Sequence, residues 1–401
     1  MVEFIKSKYS LEDLEKFRDE NGFIDLSQTD IAITEDSREE KGTMGRIKNW
    51  VDFNGKKFLL RGDAVDNYSS YAELIVEEIA KKLGIETAHY DLMKLKNEKG
   101  EYVTGVISES MLDYDKDNLI SLHELIGDEP ESDDIDYMSA TRYYFTIERL
   151  RKYLKENSNN YSEEYIESII LQYKKRLLFA LITADTDKHP ENISFIINKS
   201  GTSSMRISPN YDSEFSLLLD YQKDMVDYYA QNIDMLEDEI DLAEPRIGVI
   251  KSINDGGLNS MWKDTLEALI EDDDLYEYYI QYIRGKIDMD EILQNVELRI
   301  KAPLPKNVKI VAKKSFELRN KTIERIVDGE FELSYEQDID LESFLSSIIS
   351  IGINNGIRTG EQIDIGKKIE NDLKDDRIIE KKEEYDKHYR NDDSPNLDDN
   401  S

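Results

Sequence analysis

A polar segment between two apolar stretches constrains the fold of this chain more than any other feature. The stretch LITADTDKHPENISFI, residues 181–196, ends a long apolar helical pattern and leads into a β-like run. Asp187 to Asn192 therefore form a polar loop inside sequence that is otherwise suited to burial. A second β-like run, Met205–Ile207, is followed by the segment SPNYD, which ends at Asp212. We expect the loop and Asp212 to meet across a short hairpin.

Three side chains of these segments suit phosphoryl transfer. Asp187 can orient or deprotonate a substrate hydroxyl, and Asn192 and Asp212 offer the hard oxygen ligands that Mg²⁺ prefers at nucleotide phosphates. The same segment also fits a capped turn, in which Asp187 and Asn192 bond nearby backbone amides and His189 is a structural histidine. Spacing alone leaves both interpretations open.

Composition excludes several classes of protein. The 401 residues allow two or three structural units with a sizeable core. Lys and Arg number 52 against 87 Asp and Glu, and the net charge of −35 argues against direct nucleic-acid binding and against docking on an anionic membrane. The absence of cysteine excludes disulfides, cysteine zinc sites and thiol chemistry. Neither a signal-like apolar region nor a run of about 18 apolar residues occurs, so we expect a cytoplasmic protein.

The first 110 residues have the pattern of a small, mostly antiparallel sheet with one helix. Two β-like runs, Ile47–Phe53 and Phe58–Arg61, flank Asn54-Gly55, which is a strong hairpin signal. The other elements predicted here are a helix over 10–21 with Ser10 as its N-cap, a helix over 70–83, and β-like runs at 90–95 and 102–108.

After residue 112 the pattern becomes helical. The predicted helices cover 139–157, 162–185, 222–240, 258–271, 273–285, 289–300, 308–327 and 339–355, and β-like runs lie at 193–197 and 205–207. The predicted organisation is an N-terminal helical segment over 1–30, a β-rich lobe over 31–112, a helical lobe over 113–335, a helical extension over 336–365 and an acidic, disordered tail over 366–401.

The chain resembles the HipA-like serine/threonine kinases through segments that occur in the family's order over roughly residues 40–330. These segments are GTMGRIKNW, NGKKFLLR, YAELIVEEIAKKLGIETAHYDL, GVISESML, TDKHPEN, ISPNYDSEFSL and RIKAPLPKNVKIVAKKSFELR. The resemblance implies an α+β, bilobal protein-kinase-like fold, with a small, mostly antiparallel β N-lobe carrying one helix and a larger helical C-lobe. It also implies ATP and Mg²⁺ as cofactors, and a short form of the family without the extra N-terminal subdomain.

The resemblance also assigns roles to single residues. Asp187 would be the catalytic base, and Asn192 and Asp212 would be the Mg²⁺ ligands. Nucleotide contacts would come from Gly42, Thr43 and Gly45 in the glycine loop, and from backbone groups of Ile107, Glu109 and Met111 in the interlobe connection. Ser37 and Thr43 are candidate autophosphorylation sites, because family members are phosphorylated beside this loop.

Arg61 departs from the family, which normally has a phosphate-contacting Lys at this strand position. Arg keeps the positive charge, but its planar fork is not interchangeable with an ammonium group. Glu73, on the helix predicted over 70–83, would pair with Arg61, and Glu77 one turn later is the substitute. Ser70-Tyr71-Ala72-Glu73 also has the pattern of a capping box, with Ser at the N-cap and Glu at N3.

The function implied by the resemblance is transfer of the γ-phosphoryl group of Mg-ATP to a Ser or Thr hydroxyl of a protein, including its own, as in a toxin of the toxin–antitoxin type. Arg61 motivates the alternative of a pseudokinase that binds nucleotide and acts as a regulatory partner. A kinase for a small molecule or lipid headgroup is a further alternative, and the net charge weakens its lipid form. A small DNA-binding, antitoxin-like partner would have to supply any basic surface.

Overall fold

The computed structural model describes residues 4–31, 48–63, 67–96, 100–126, 147–157, 161–199, 205–243, 266, 269–270 and 272–329. Several predictions fall outside these residues: the glycine loop with Gly42, Thr43 and Gly45, the candidate site Ser37, the helix over 339–355 and the tail over 366–401. All described residues belong to one compact unit, Met1–Phe331.

The described strands are β1 (Ile5–Ser7), β2 (Ile24–Asp25), β3 (Lys48–Phe53), β4 (Lys56–Gly62), β5 (Tyr90–Lys96), β6 (Tyr102–Glu109), β7 (Asp117–Ser121), β8 (Ser194–Asn198) and β9 (Met205–Ile207). The described helices are α1 (Leu11–Leu14), α2 (Ser69–Lys82), α3 (Leu122–Ile126), α4 (Ile147–Asn157), α5 (Glu163–Ile182), α6 (Lys223–Tyr229), α7 (Ile233–Leu242), α8 (Asp273–Tyr278), α9 (Met289–Ile300) and α10 (Lys306–Val327). None of these helices is both long enough and apolar enough to span a membrane.

The N-terminal lobe is built on a sheet of six described strands in the order β1-β3-β4-β6-β5-β2. The β3–β4, β4–β6 and β5–β6 pairs are antiparallel, and the β1–β3 and β2–β5 pairs are parallel. Asn54 and Gly55 both have positive φ, 52° and 90°, as a two-residue type I′ hairpin requires. The predicted hairpin is therefore confirmed.

Residues 4–31 contain two strands of this sheet, β1 and β2. The predicted helical segment over 1–30 did not include these strands. The helix predicted over 10–21 is limited to α1 and a 3₁₀ turn over Glu15–Phe17, although Ser10 caps it in a capping box with Asp13. β1 and β2 have only three and two residues, too few for an alternating pattern to emerge from sequence. Their pairing with β3 and β5 fixes them instead.

Helix α2 matches the predicted helix over 70–83, but it begins differently from the expected capping box. Its N-cap is Tyr68, which makes no side-chain capping bond. Ser70 instead donates its hydroxyl to Asp63 at 2.5 Å, and Ser69 and Thr104 donate theirs to the same carboxylate at 3.1 and 2.7 Å. The capping-box prediction is wrong, because Asp63 is the acceptor for these hydroxyls and Glu73 has other partners.

The C-terminal lobe is helical and carries a small sheet, β7-β8-β9. Apolar residues of α5 form its core, including the predicted stripe of Ile166, Ile169, Ile170, Tyr173, Leu177 and Leu181. This core is continuous with α2 and the adjacent face of the N-terminal sheet, whereas a second core fills the opposite face of that sheet. The helix predicted over 222–240 is divided into α6 and α7.

Glu77 joins α2 to α9 of the C-terminal lobe. Its carboxylate accepts from His89 Nδ1 at 2.7 Å and from the Tyr90 amide at 3.0 Å, and it pairs with Arg299 of α9 at 2.8 Å. Burial alone would raise the pKa of Glu77, but the His89 hydrogen bond and the Arg299 charge outweigh it and lower the pKa to about 2. The ionised Glu77 therefore holds α2 against the C-terminal lobe.

We expect Glu77→Gln to remove an acid-sensitive part of the stability. A carboxyl with a depressed folded pKa stabilises the protein above its unfolded pKa, near 4.5, and loses this contribution as pH falls toward about 2. The shift corresponds to on the order of 3 kcal/mol near neutral pH. Urea unfolding at pH 7 and pH 3 should show a wild-type advantage that shrinks on acidification, and the exposed control Glu86→Gln should show none. An advantage of equal size at both pH values would contradict this account.

Candidate active site

Arg61 lies on the face of β4 that is turned away from the second core. Phe58 and Leu60 point into that core, so the alternation of side chains along a strand places Leu59 and Arg61 on the other face. Arg61 Nη2 pairs with Glu73 of α2, and Nη1 pairs with Asp212 in the segment after β9. The guanidinium also approaches Glu214 at 3.7 Å. One fork thus joins the sheet, the helix and the Asp212 segment.

Glu73 is the buried member of this group, with 1 % of its side chain exposed. Its second oxygen accepts the backbone N–H of Ser213 at 3.0 Å. Burial raises the pKa of Glu73, and the charge of Arg61 opposes this rise. Burial would lower the pKa of Arg61, but the charges of Glu214 and Glu73 outweigh it, so that its pKa is raised and the guanidinium stays charged. Arg61 pairs with Glu73, and Glu77 is not its partner.

Asp212 has a left-handed backbone conformation, with φ of 57°. This conformation is costly for a residue with a side chain, by about 1–3 kcal/mol, and persists where surrounding contacts enforce it. The Asp212 N–H donates to the Tyr90 hydroxyl at 3.1 Å, and its side chain is held by Arg61. Such strained residues are common at functional sites.

The polar loop after α5 forms a tight turn at the predicted place. Asn192 Nδ2 donates to the Asp187 carbonyl at 3.0 Å, which leaves the Asn192 Oδ1 as the oxygen available to a metal ion. His189 Nδ1 accepts the Glu191 N–H at 3.3 Å, and its Nε2 lies 3.9 Å from the Asp187 carboxylate. His189 therefore has the structural role that the capped-turn interpretation gives it, as the side-chain cap of the turn over Pro190–Asn192.

The three residues predicted to contact adenine lie in β6 or just after it. The Ile107 side chain packs in the second core, and its backbone lies in the ladder between Leu60 and Asp91. The Glu109 N–H donates to the His89 carbonyl at 3.3 Å. Of the three predicted residues, Met111 is the one that lies beyond the end of β6. The structure thus places Ile107 and Glu109 within β6 and Met111 after it.

Four buried or partly buried charged residues near the site were not predicted from the sequence: Asp63, Asp185, Lys188 and Glu214. Asp220 also lies close, and burial raises its pKa to about 7, with the charges of Glu214, Asp185 and Asp187 adding to the rise. The available sequence signal was the density of acidic residues around the polar loop, which has no apolar periodicity to explain it. Carboxylates therefore outnumber cationic side chains around Arg61 and the polar loop.

Gly105 of β6 allows β4 to approach closely enough to place Arg61. A Cβ at Gly105 would lie 2.1 Å from the Arg61 carbonyl oxygen and 2.8 Å from the Gly62 Cα. We expect Gly105→Ala to force β4 away from β6 and to lower the free energy of unfolding by about 1–3 kcal/mol. Gly100→Ala is the comparison variant, because nothing lies within 4 Å of an added Cβ there and its loss reports the cost of the positive φ of 78° alone. A loss below about 1 kcal/mol for Gly105→Ala, in urea unfolding, would contradict the proposed close approach.

Comparison with known proteins identifies the fold. The chain matches no protein-family profile and no curated protein. Among solved structures it resembles the proinflammatory kinase CtkA of Helicobacter pylori, with a TM-score of 0.57 and 15 % identity over 78 % of this chain and 100 % of that chain.

Two further structures are more distant. The HipA of Shewanella oneidensis, solved with HipB and operator DNA, has a TM-score of 0.43 and 17 % identity over 75 % of this chain and 69 % of that chain. The Golgi casein kinase has a TM-score of 0.31 and 8 % identity over 81 % of this chain and 75 % of that chain. At 15 % identity, the likeness to CtkA shows the fold of this chain and no more than the fold. The chain therefore has the bilobal, α+β protein-kinase-like fold that the resemblance of its motifs implies.

Proposed function

We propose that the protein is an ATP- and Mg²⁺-dependent kinase that transfers the γ-phosphoryl group to a Ser or Thr hydroxyl of a protein. The observation that carries this proposal is the Arg61 fork, which joins a cation on the sheet to Glu73 of α2 and to Asp212. Phosphoryl transfer depends on positioning and on charge stabilisation. Arg61 supplies a positive charge, and its ion pairs with Glu73 and Asp212 hold that charge in a fixed position.

The chemistry of the residues around Arg61 and the polar loop fits a divalent cation. Its candidate ligands, the Asn192 Oδ1 and the Asp212 carboxylate, are hard oxygen atoms. The carboxylates of Glu73, Asp212 and Glu214 surround the single guanidinium of Arg61, so the cluster lacks positive charge. Among the residues that the structure describes, no group of three or more His, Asp or Glu side chains could hold a metal ion by itself. Mg²⁺ is usually bound through one or two carboxylates together with substrate phosphates, so the nucleotide would supply the remaining ligands.

In this proposal each residue has one task. Bound Mg²⁺ would neutralise charge on the nucleotide phosphates. Asp187 would orient the acceptor hydroxyl and take its proton, and Asn192 and Asp212 would hold the metal ion. Arg61 would offset phosphate charge, with Glu73 fixing the direction of its fork. Met111 would contact adenine through its backbone.

We expect ATP to raise the melting temperature of the protein more strongly when Mg²⁺ is present. A ligand at a hundredfold excess over Kd stabilises the folded state by about 2.7 kcal/mol. Without Mg²⁺ the phosphates would compete with Asp212 for Arg61, so the shift should be small. Asp212→Ala should remove the Mg²⁺-dependent part, and Asp234→Ala, a control at an exposed aspartate of α7, should retain it. Equal Mg²⁺ effects in the wild type and Asp212→Ala would count against Asp212 as a ligand.

A pseudokinase is the second candidate, and one observation favours it. Arg61 replaces the expected Lys, and its fork is already engaged by Asp212, the proposed metal ligand. A protein that only binds nucleotide would give the thermal shift without phosphoryl transfer, so the two assays separate the candidates.

The partner proposal rests on the resemblance and on charge. A net charge of −35 favours a basic partner protein over nucleic acid. We propose a small, basic, DNA-binding protein of the antitoxin type as that partner. Its binding should weaken steeply as salt is raised, because attraction between exposed charges is screened.

A further inference from the structure

A buried lysine directly follows Asp187. Only 2 % of the Lys188 side chain is exposed, and lysine is almost never fully buried unless it is paired. An ammonium group has three N–H donors. The carbonyls of Tyr211 and Asp212 accept hydrogen bonds from the Lys188 ammonium at 2.8 and 3.3 Å, and Asp185 Oδ2 forms an ion pair with it at 3.1 Å. The charge of Lys188 is therefore compensated entirely inside the protein.

The carboxylate of Asp185 connects Lys188 to the backbone of Asp187. Its Oδ1 accepts the Asp187 N–H at 3.2 Å, while its Oδ2 faces the ammonium group. Only 1 % of the Asp185 side chain is exposed. Asp185 thus fixes the residue that carries the proposed catalytic carboxylate and, through Lys188, the opposite segment.

The opposite segment is the strained one. Asp212 has φ of 57°, and its N–H is held by the Tyr90 hydroxyl. The Lys188 ammonium contacts the carbonyl of Asp212 and the carbonyl of the preceding residue, Tyr211. These contacts bracket the backbone from which the Asp212 side chain projects. Asp220 and Glu214 add further negative charge near this segment.

We infer that Lys188, together with Asp185, is a positioning residue that sets the placement of Asp212 relative to Asp187. Lys188 and Asp185 would form a brace between the group that holds the metal ion, Asp212, and the group that accepts the proton, Asp187. The inference therefore rests on the proposed function. Lys188 does not itself contact substrate. Misplacement of a catalytic group by about 1 Å can lower a rate by two orders of magnitude, so such a brace would matter for metal binding and for turnover.

The test separates positioning from stability. Lys188→Met keeps the length of the side chain but leaves Asp185 buried without its counter-charge, and it should be strongly destabilised. The double variant Lys188→Met/Asp185→Asn removes both charges and should recover much of the stability, since replacing both members of a buried pair is often neutral. We expect the double variant nevertheless to need at least tenfold more Mg²⁺ for half of the ATP-dependent thermal shift.

The matched control is Lys174→Met/Asp272→Asn. Lys174 of α5 pairs with Asp272, the N-cap of α8, and Asn also serves as an N-cap. This double variant should keep the wild-type Mg²⁺ requirement. A wild-type Mg²⁺ requirement in Lys188→Met/Asp185→Asn would overturn the inference and leave Lys188 a structural residue.

A second readout needs no nucleotide. The Asp212 and Ser213 amides donate to Tyr90 and Glu73, so hydrogen–deuterium exchange reports how firmly their segment is held. Without the brace, exchange in residues 211–214 should be at least tenfold faster than in the wild type, and the control double variant should match the wild type. Unchanged exchange would overturn the inference. A different outcome would refute the proposed function alone: the wild type shows no Mg²⁺-dependent thermal shift with ATP, while exchange in residues 211–214 is still faster in Lys188→Met/Asp185→Asn. In that case Lys188 and Asp185 would still position the Asp212 segment.

Discussion

Asp187→Asn is expected to reduce phosphoryl transfer by about 10²–10⁴-fold while ATP binding stays nearly unchanged. In the proposed mechanism Asp187 acts on the incoming hydroxyl and does not hold the nucleotide. Its backbone is fixed independently, because the Asp187 N–H donates to Asp185 and the Asp187 carbonyl accepts from Asn192. The amide replacement should therefore leave the loop in place.

Glu191→Gln is the matched control for this change. Glu191 lies in the same loop, its side chain is exposed, and the loop contacts it makes are through its backbone. Transfer should be unchanged in this variant, as measured with radiolabelled ATP, and binding should be followed by thermal shift. If Asp187→Asn loses ATP affinity and keeps its turnover per bound nucleotide, Asp187 is a binding or structural residue.

The second large effect is expected at Arg61. Arg61→Ala would leave Glu73 buried without its counter-charge, and breaking a buried pair in this way costs about 3–5 kcal/mol of stability. ATP binding or transfer should fall at least tenfold, about 1.4 kcal/mol. Lys57→Ala is the control, because Lys57 lies on the same strand and pairs with the partly exposed Asp52. That variant should change stability by no more than about 1 kcal/mol.

Arg61→Lys distinguishes an adapted kinase from a pseudokinase. The Arg61 fork contacts Asp212 with Nη1 and Glu73 with Nη2, and a single ammonium on a shorter side chain cannot reproduce this geometry. In an active enzyme built around Arg61, transfer should fall or stay level in Arg61→Lys. A rise from near zero would support the pseudokinase instead, because Lys would then restore the family's contact.

Local patterns in the sequence were sufficient to predict the parts of the fold that depend on neighbouring residues. Asn54-Gly55 specifies its hairpin because positive φ at both positions leaves few alternatives. The apolar period of α5 predicted both the helix and its burial. The pairing of Arg61 with Glu73 was predicted from the family resemblance and not from a local pattern, since the two residues are twelve positions apart and lie in different elements.

Features that depend on distant contacts could not be predicted in this way. The Ser70–Glu73 pattern fits a capping box, but Asp63, Arg61 and Ser213 bind these side chains in the folded protein. Lys188 has the appearance of a surface lysine in sequence, because its burial depends on carbonyls more than twenty residues away. Tertiary contacts overrode the local signal in both cases.

The central claim is tested most directly by incubating the purified protein with radiolabelled ATP and Mg²⁺ and measuring label on protein, with Asp187→Asn in parallel. We expect Mg²⁺-dependent label on a Ser or Thr of the protein itself or of an added protein substrate, and almost none with Asp187→Asn. Nucleotide binding without any transfer, or equal labelling by wild type and Asp187→Asn, would contradict the account.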